Sequence, residues 1–155
     1  MMQCPIYAFE PLDRLLSDGA RDLVCKHWKE IGRFQDKAPL DIDWQAHLNE
    51  ERSGRLRVFT ARLDDEILGY IMFRFFKPDR YRSTQFIVGD VFWFTPEDRG
   101  KGWGYRMFHE AQAALPRPFV GQWRRKIGLD DDKIDRILRS LGLEPMEIVY
   151  WGWFE

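Results

Sequence analysis

One stretch limits the folds open to this chain more than any other. It runs from Val88 to Leu115, VGDVFWFTPEDRGKGWGYRMFHEAQAAL. An apolar run, Val91, Phe92, Trp93 and Phe94, stops at Thr95-Pro96. The loop Glu97 to Gly104 follows, and then Met107, Phe108, Ala111, Ala114 and Leu115 recur at helical spacing. Strand, glycine loop and helix in that order bring unpaired backbone N–H groups and the positive end of a helix dipole to one place. Gly100, Gly102 and Gly104 alternate, so the backbone can turn sharply and approach a ligand with no Cβ between them. Arg99 and Lys101 add positive charge, and a pyrophosphate suits such a loop. Two common nucleotide loops do not fit. Lys101 is followed by Gly102 and Trp103 rather than by Ser or Thr, and the position three after Gly102 is Tyr105 rather than glycine.

The 155 residues are predicted to form one domain, residues 1–155, long enough to bury a core. Hydrophobic residues at 45% and charged residues at 32% give a globular rather than a disordered chain. A net charge of −1 supplies no overall field toward nucleic acid or membrane, and neither is expected as a partner. The start, MMQCPIYAFEPLDR, has no apolar leader segment, and no run reaches membrane-spanning length, so a cytoplasmic protein is expected. Cys4 and Cys25 stand far from any His pair, so no metal site is expected and both thiols are read as buried or inert.

The order of elements follows from periodicity and punctuation. Ile6 to Phe9 is a first strand, stopped by Pro11. Leu12 to Ile31 is helical, weakened or broken at Gly19, with His27 on its apolar side as a hydrogen-bonded core residue. Asp41 or Asp43 caps a second helix through Arg52, with Trp44 and Leu48 inward. Leu56 to Leu63 and Ile67 to Phe76 form a hairpin about Asp64-Asp65-Glu66. Gln85 to Phe94 is apolar on both faces and therefore central. Past the glycine loop and its helix, Phe119 to Trp123 is a fifth strand and Arg124-Arg125-Lys126 a solvated basic patch. Asp130 to Leu141 is a last helix ended by Gly142, and Met146 to Phe154 a closing strand. The Trp-rich end is read as core or as the seam of a homodimer.

Arg99-Gly100-Lys101-Gly102-Trp103-Gly104 resembles the acyl-CoA loop of the GCN5-related N-acetyltransferase (GNAT) family, R/Q-x-x-G-x-G/A, at every fixed position. The lead-in Thr95-Pro96-Glu97-Asp98 is similar too. The resemblance implies an α/β (α+β) fold, with a central mixed, mostly antiparallel sheet of six to seven strands flanked by about four helices. The fourth and fifth strands are then splayed around a pantetheine arm, with Gly121 leaving room for it. It also implies acetyl-CoA as co-substrate, with Arg99, Gly100, Lys101, Gly102, Trp103 and Gly104 holding the pyrophosphate. A backbone N–H near Trp93 or Phe94 would meet the thioester oxygen.

The expected reaction is transfer of an acetyl group to a primary amine of an unidentified small molecule or protein. A lysine-like ammonium, with a pKa near ~10.4, must lose a proton first. Asp90 is the candidate base: on strand parity it shares a face with Phe86, Val88, Phe92 and Phe94, and burial there favours its neutral form. The alternative is a structural carboxylate paired with an arginine. The glutamate usual on this strand aligns with Val88, and the tyrosine usual on the last helix aligns with Leu138, so Tyr150 is the candidate acid. The acceptor pocket is expected from Asp18 to Glu51 plus Tyr150 to Phe154, where Asp36, Asp41, Asp43, Glu50 and Glu51 attract an amine or form a solvated face. A non-catalytic acyl-CoA-binding or sensing module is the alternative function.

Overall fold

The structure is a computed structural model that describes residues 4–124, 131–147, 149 and 152. Its elements are β1 (Ile6–Glu10), α1 (Leu12–Ser17), α2 (Ala20–Ile31), α3 (Trp44–Arg52), β2 (Leu56–Leu63), β3 (Glu66–Phe76), β4 (Phe86–Phe94), α4 (Trp103–Ala114), β5 (Val120–Trp123) and α5 (Asp131–Ser140). The sheet runs β1-β2-β3-β4-β5, antiparallel throughout except for the parallel pair β4–β5. This is the mixed, mostly antiparallel sheet expected, with five strands among the described residues rather than six or seven. The expected closing strand falls mostly outside the described residues, and Met146 and Glu147 at its start lie in no strand.

Local chemistry explains the boundaries. The first helical stretch divides because Gly19 takes φ +88, a left-handed conformation that ends α1 and starts α2. Asp43, rather than Asp41, caps α3: its side chain accepts from the Ala46 amide at 2.8 Å. Asp64 and Asp65 both have positive φ, which turns β2 into β3 through a two-residue loop. Gly142 has φ +81, and Leu143 N–H reaches back to the Leu138 carbonyl at 3.2 Å to close α5.

Two apolar layers enclose the sheet. Phe59, Ile71, Phe73, Ile87 and Phe94 pack against Met107, Phe108 and Ala111 of α4 and Ile137 of α5. Val58, Ile67, Tyr70 and Trp93 face Leu12 and Leu15 of α1, with Leu23 and Val24 of α2 against them. Trp44 and Leu48 of α3 are only half-buried. Cys4, ahead of β1, and Cys25 of α2 are exposed, not buried.

The alternation of β4 is interrupted. Phe73 stands opposite Gly89 and Met72 opposite Val91, so Asp90 is an extra residue, a bulge. Ile87 therefore shares a core with Phe92 and Phe94, while Val91 and Trp93 face the other way. The strand parity expected for Asp90 fails at this point. The pairing of β4 with β5 also stops here: it covers Phe86 to Gly89 and closes with Arg124 N–H on the Gly89 carbonyl at 3.1 Å. Gly121 lies inside that paired part, with the Phe119 ring 3.2 Å from where a Cβ would stand. Gly89 is the glycine the fork requires, because a Cβ there would meet the Trp123 ring at 2.4 Å.

Candidate active site

Beyond the fork, Asp90 to Phe94 has no β5 partner among the described residues, so one edge of β4 lies open. Alternate residues of an antiparallel strand send N–H and C=O to the same side. Thr95 N–H bonds the Leu68 carbonyl on β3 at 2.7 Å, and the Phe94 carbonyl instead accepts from Arg99 Nε at 2.9 Å. Phe94 therefore turns its own amide to the open edge, and Trp93, paired with Tyr70, does not. The Phe94 ring fills a slot between two glycines: a Cβ on Gly69 would touch it at 2.4 Å, and one on Gly104 would lie 3.7 Å away.

The loop begins as a tight 3-10 turn over Pro96–Asp98. Thr95 Oγ1 donates to one Asp98 oxygen at 3.0 Å, and Lys101 Nζ holds the other at 2.6 Å. Lys101 depresses the Asp98 carboxyl below its ordinary range, and Thr95 adds to this. Gly100 at φ +89 and Gly102 at φ +79 then take conformations disfavoured for other residues. Among the described residues no amide from Gly100 to Tyr105 donates to a backbone carbonyl, and the first helical bond of α4 is Arg106 N–H to Gly102 O at 3.1 Å. Such a run of amides at a helix start has the geometry of an anion cradle. Tyr7 of β1 fixes its far side, donating from its hydroxyl to the Trp103 carbonyl at 3.2 Å.

The cations of the loop are already paired. Lys101 is on Asp98, and Arg106 is on Glu110 at 3.3 Å. Arg99 is gripped by Glu30 of α2, with Nη1–Oε1 at 2.6 Å and Nη2–Oε2 at 2.8 Å. Trp93 Nε1 donates to the same carboxylate at 2.7 Å. Arg99 holds the Glu30 carboxyl below its usual range, with Trp93 contributing. His27, one helical turn earlier, is buried as expected; its Nδ1 lies 2.6 Å from the Tyr70 hydroxyl and its ring stacks on Trp93. Burial pushes the Tyr70 phenol up. The sequence reading missed Glu30; its signal is a carboxylate three residues after His27, on the same side of α2.

Asp90 is half-buried with both oxygens taken. Arg74 Nε lies 3.0 Å from Oδ2 and Arg124 Nη1 lies 2.8 Å from Oδ1. Arg74 also bonds Glu50 of α3 at 2.5 Å, so Arg124, solvated as expected, is in addition the end of an ion-pair chain, while Arg125 and Lys126 lie outside the described residues. Other acidic residues of the acceptor region are structural too: Glu51 caps α1 through the Leu12 amide at 2.9 Å, and Asp43 caps α3. Leu138 is packed against the core, and Tyr150 lies outside the described residues. Between α1, α2, α3 and the sheet is a cavity of about 50 Å³ lined by Leu12, Leu23, Trp44, His47, Tyr70 and Met72, among others. Among the described residues no group of His, Cys, Asp and Glu could hold a metal ion. No helix among them is long and apolar enough to cross a membrane.

The chain matches the model of the acetyltransferase (GNAT) family over residues 20–129. It matches no curated protein by sequence. Its fold is similar to that of a ribosomal-protein-alanine N-acetyltransferase from Brucella melitensis biovar Abortus 2308, at 17% identity and TM-score 0.71, covering 97% of this chain and 98% of that one. It is also similar to an aminoglycoside acetyltransferase from an uncultured soil metagenomic sample in complex with sisomicin, at 13% identity and TM-score 0.71, covering 97% of each chain. The family match spans most of the chain and includes β4, the glycine loop and α4, and on that ground the chain belongs to the acetyltransferase (GNAT) family.

Proposed function

We propose that the chain transfers an acetyl group from acetyl-CoA to a primary amine of a small molecule or protein by direct attack. The observation that carries this reading is the run of amides from Gly100 to Tyr105 with no backbone acceptor among the described residues, at the start of a helix. They would hold the pyrophosphate, and membership of an acetyltransferase family supports acetyl-CoA as the molecule that carries it. The open edge of β4 supports the rest: an outward Phe94 amide is a donor for an oxyanion at the thioester carbon. The nitrogen of the free amine bonds to that carbon, the carbon–sulfur bond breaks and the thiolate leaves, and the nitrogen sheds its second proton to solvent as the amide forms; the ammonium proton is lost before the attack.

Asp90 takes that proton directly only after Arg124, 61% exposed, leaves Oδ1. With both guanidinium groups in place a water takes it, and Asp90 serves to hold the fork. Tyr150 is the candidate donor to the thiolate, although a thiol with pKa near ~8.5 leaves without help. The acceptor enters from the α1–α3 side, where the cavity walls are largely apolar. The protein acts in the cytoplasm in this reading, as a monomer or homodimer. The core packing of Leu138, where the family carries its tyrosine acid, gives the second reading some weight, a non-catalytic acyl-CoA-binding or sensing module. Titration calorimetry with acetyl-CoA, then thiol release across a panel of amines and peptides, tests both. Binding with amine-dependent release is the expected result. Absence of acetyl-CoA binding sinks both readings, and binding without release from a broad panel selects the second.

A further inference from the structure

Arg99 opens the glycine motif, and a guanidinium beside a diphosphate cradle invites the view that it is the cation for the phosphates. Its contacts point elsewhere. Both terminal nitrogens are on Glu30, at 2.6 and 2.8 Å, and Nε is on the Phe94 carbonyl at 2.9 Å. That is a fork-to-fork pair with a third bond fixing its direction. Glu30 in turn holds Trp93 through Nε1 at 2.7 Å, and Trp93 is stacked on His27 of the same helix. The end of α2 thus grips the last two residues of β4 and the first residue of the motif. The Arg99 amide closes the preceding turn on the Pro96 carbonyl at 3.3 Å, and Gly100 immediately follows as the first residue of the cradle. Any shift of Arg99 moves the cradle.

We propose that Glu30 and Arg99 form a strut, with Glu30 as a positioning residue that sets the loop amides and the end of β4 from α2, and with Arg99 not a phosphate ligand. The inference rests on the acetyl-CoA reading above. It separates from the phosphate-cation view by sign. If Arg99 bound phosphate, Glu30 would compete for it, and removing the charge of Glu30 would tighten acetyl-CoA. A strut gives the opposite sign. The pair is partly exposed, with the side chains at 40% and 28%, so its loss should move stability little and affinity more.

The test is calorimetric acetyl-CoA binding, with ligand-free Tm, for the wild type, Glu30→Gln, Arg99→Lys, Arg99→Ala and the double variant Glu30→Gln/Arg99→Ala. The expected result is a loss of about tenfold in affinity for Glu30→Gln and for Arg99→Lys, with the double variant no weaker than the weaker single one. Lysine keeps the charge but cannot span Glu30 and the Phe94 carbonyl together. KM for acetyl-CoA should rise in parallel, more than kcat falls. Tighter or unchanged binding by Glu30→Gln overturns the strut, as does wild-type affinity in Arg99→Lys with weak binding in Arg99→Ala. A fall in Tm with affinity unchanged also overturns it. If Glu30→Gln does not fold, Arg99→Lys decides alone. A wild type that fails to bind acetyl-CoA defeats the functional reading itself, whereas binding that Glu30→Gln leaves intact defeats only the strut.

Discussion

The two ends of the open edge of β4 are built differently. At the fork, the Gly89 carbonyl and the Asp90 carboxylate are both occupied. The Gly89 carbonyl holds the Arg124 amide, both Asp90 oxygens hold guanidinium groups, and the Trp123 ring covers the glycine. At the loop the cationic side chains are equally occupied, Arg99 by Glu30 and Lys101 by Asp98, but among the described residues the main-chain amides from Gly100 to Tyr105 have no backbone acceptor. What this end offers a ligand is therefore backbone. The charged residues around it set where that backbone stands. The fork closes the pairing of β4 with β5 and the loop leaves its amides open, and each should fail in its own way when altered.

The largest effect is expected at the fork. Gly89→Ala puts a methyl group 2.4 Å from a Trp123 ring that is itself wedged between Phe73 and Phe108, at centroid distances of 5.3 and 5.1 Å. Overpacking of this kind costs about 1–3 kcal/mol. Tm should fall by several degrees while the loop itself is untouched. Gly102→Val comes next and should behave in reverse. No atom lies within 4 Å of a Cβ there, so the loss is conformational, at φ +79. It amounts to roughly 1–2 kcal/mol for an L residue, or about five- to thirtyfold in acetyl-CoA affinity by calorimetry. Gly104→Ala is the control: it has ordinary φ and a 3.7 Å contact with Phe94, so affinity should change less than about threefold. If Gly102→Val binds like the wild type, the cradle has been misplaced.

Asp90→Asn sharpens the comparison. An amide oxygen can keep one guanidinium but not the charge of the pair, so stability should drop by about 1 kcal/mol or less. If the fork is structural, kcat falls only a few-fold and the pH–rate profile keeps its shape. A fall of about a hundredfold with loss of the acid limb would make Asp90 the proton acceptor instead.

The order of strands and helices could be read from the sequence because its determinants are local. Gly19, Asp43, the Asp64-Asp65 turn and Gly142 act through their own φ or their own side chains. The turn of the loop could be read for the same reason, since Gly100 and Gly102 act through their own φ. The face of Asp90 could not. One bulge resets the alternation, and it exists because the registers of β3 and β4 differ by a residue, which no pattern within Gln85 to Phe94 records. Glu30 was hidden by distance, lying 69 residues from Arg99 in the chain and bonded to it only once α2 is laid across the end of β4. Acidic residues of the acceptor region looked available as charges and prove to be a cap for α1, a cap for α3 and a partner for Arg74.

The smallest effect expected is one of pH, and its sign follows from the loop carboxylates. The Glu30 carboxyl is depressed from an ordinary 4.5 by its bonds to Arg99, and that of Asp98 from 3.8 by Lys101. A depressed carboxyl contributes stability in full above its unfolded pKa and loses it as pH falls through the folded value. The contribution is thus complete at neutrality and fades only below about pH 4.5. Both pairs are partly exposed, so each contributes well under ~1 kcal/mol, and the ligand-free Tm of Glu30→Gln should lie slightly below that of the wild type at pH 7. The gap should close on acidification, because protonation removes from the wild type what the substitution has already removed. The affinity difference should close in the same window, since the strut is lost along with the charge. Arg124→Ala at the fork should open a Tm gap of its own that does not depend on the Glu30 strut, leaving the acid response of the loop unchanged. If both variants lose their gaps together with Glu30 still ionised, the two ends of the edge are one unit and the contrast between them dissolves.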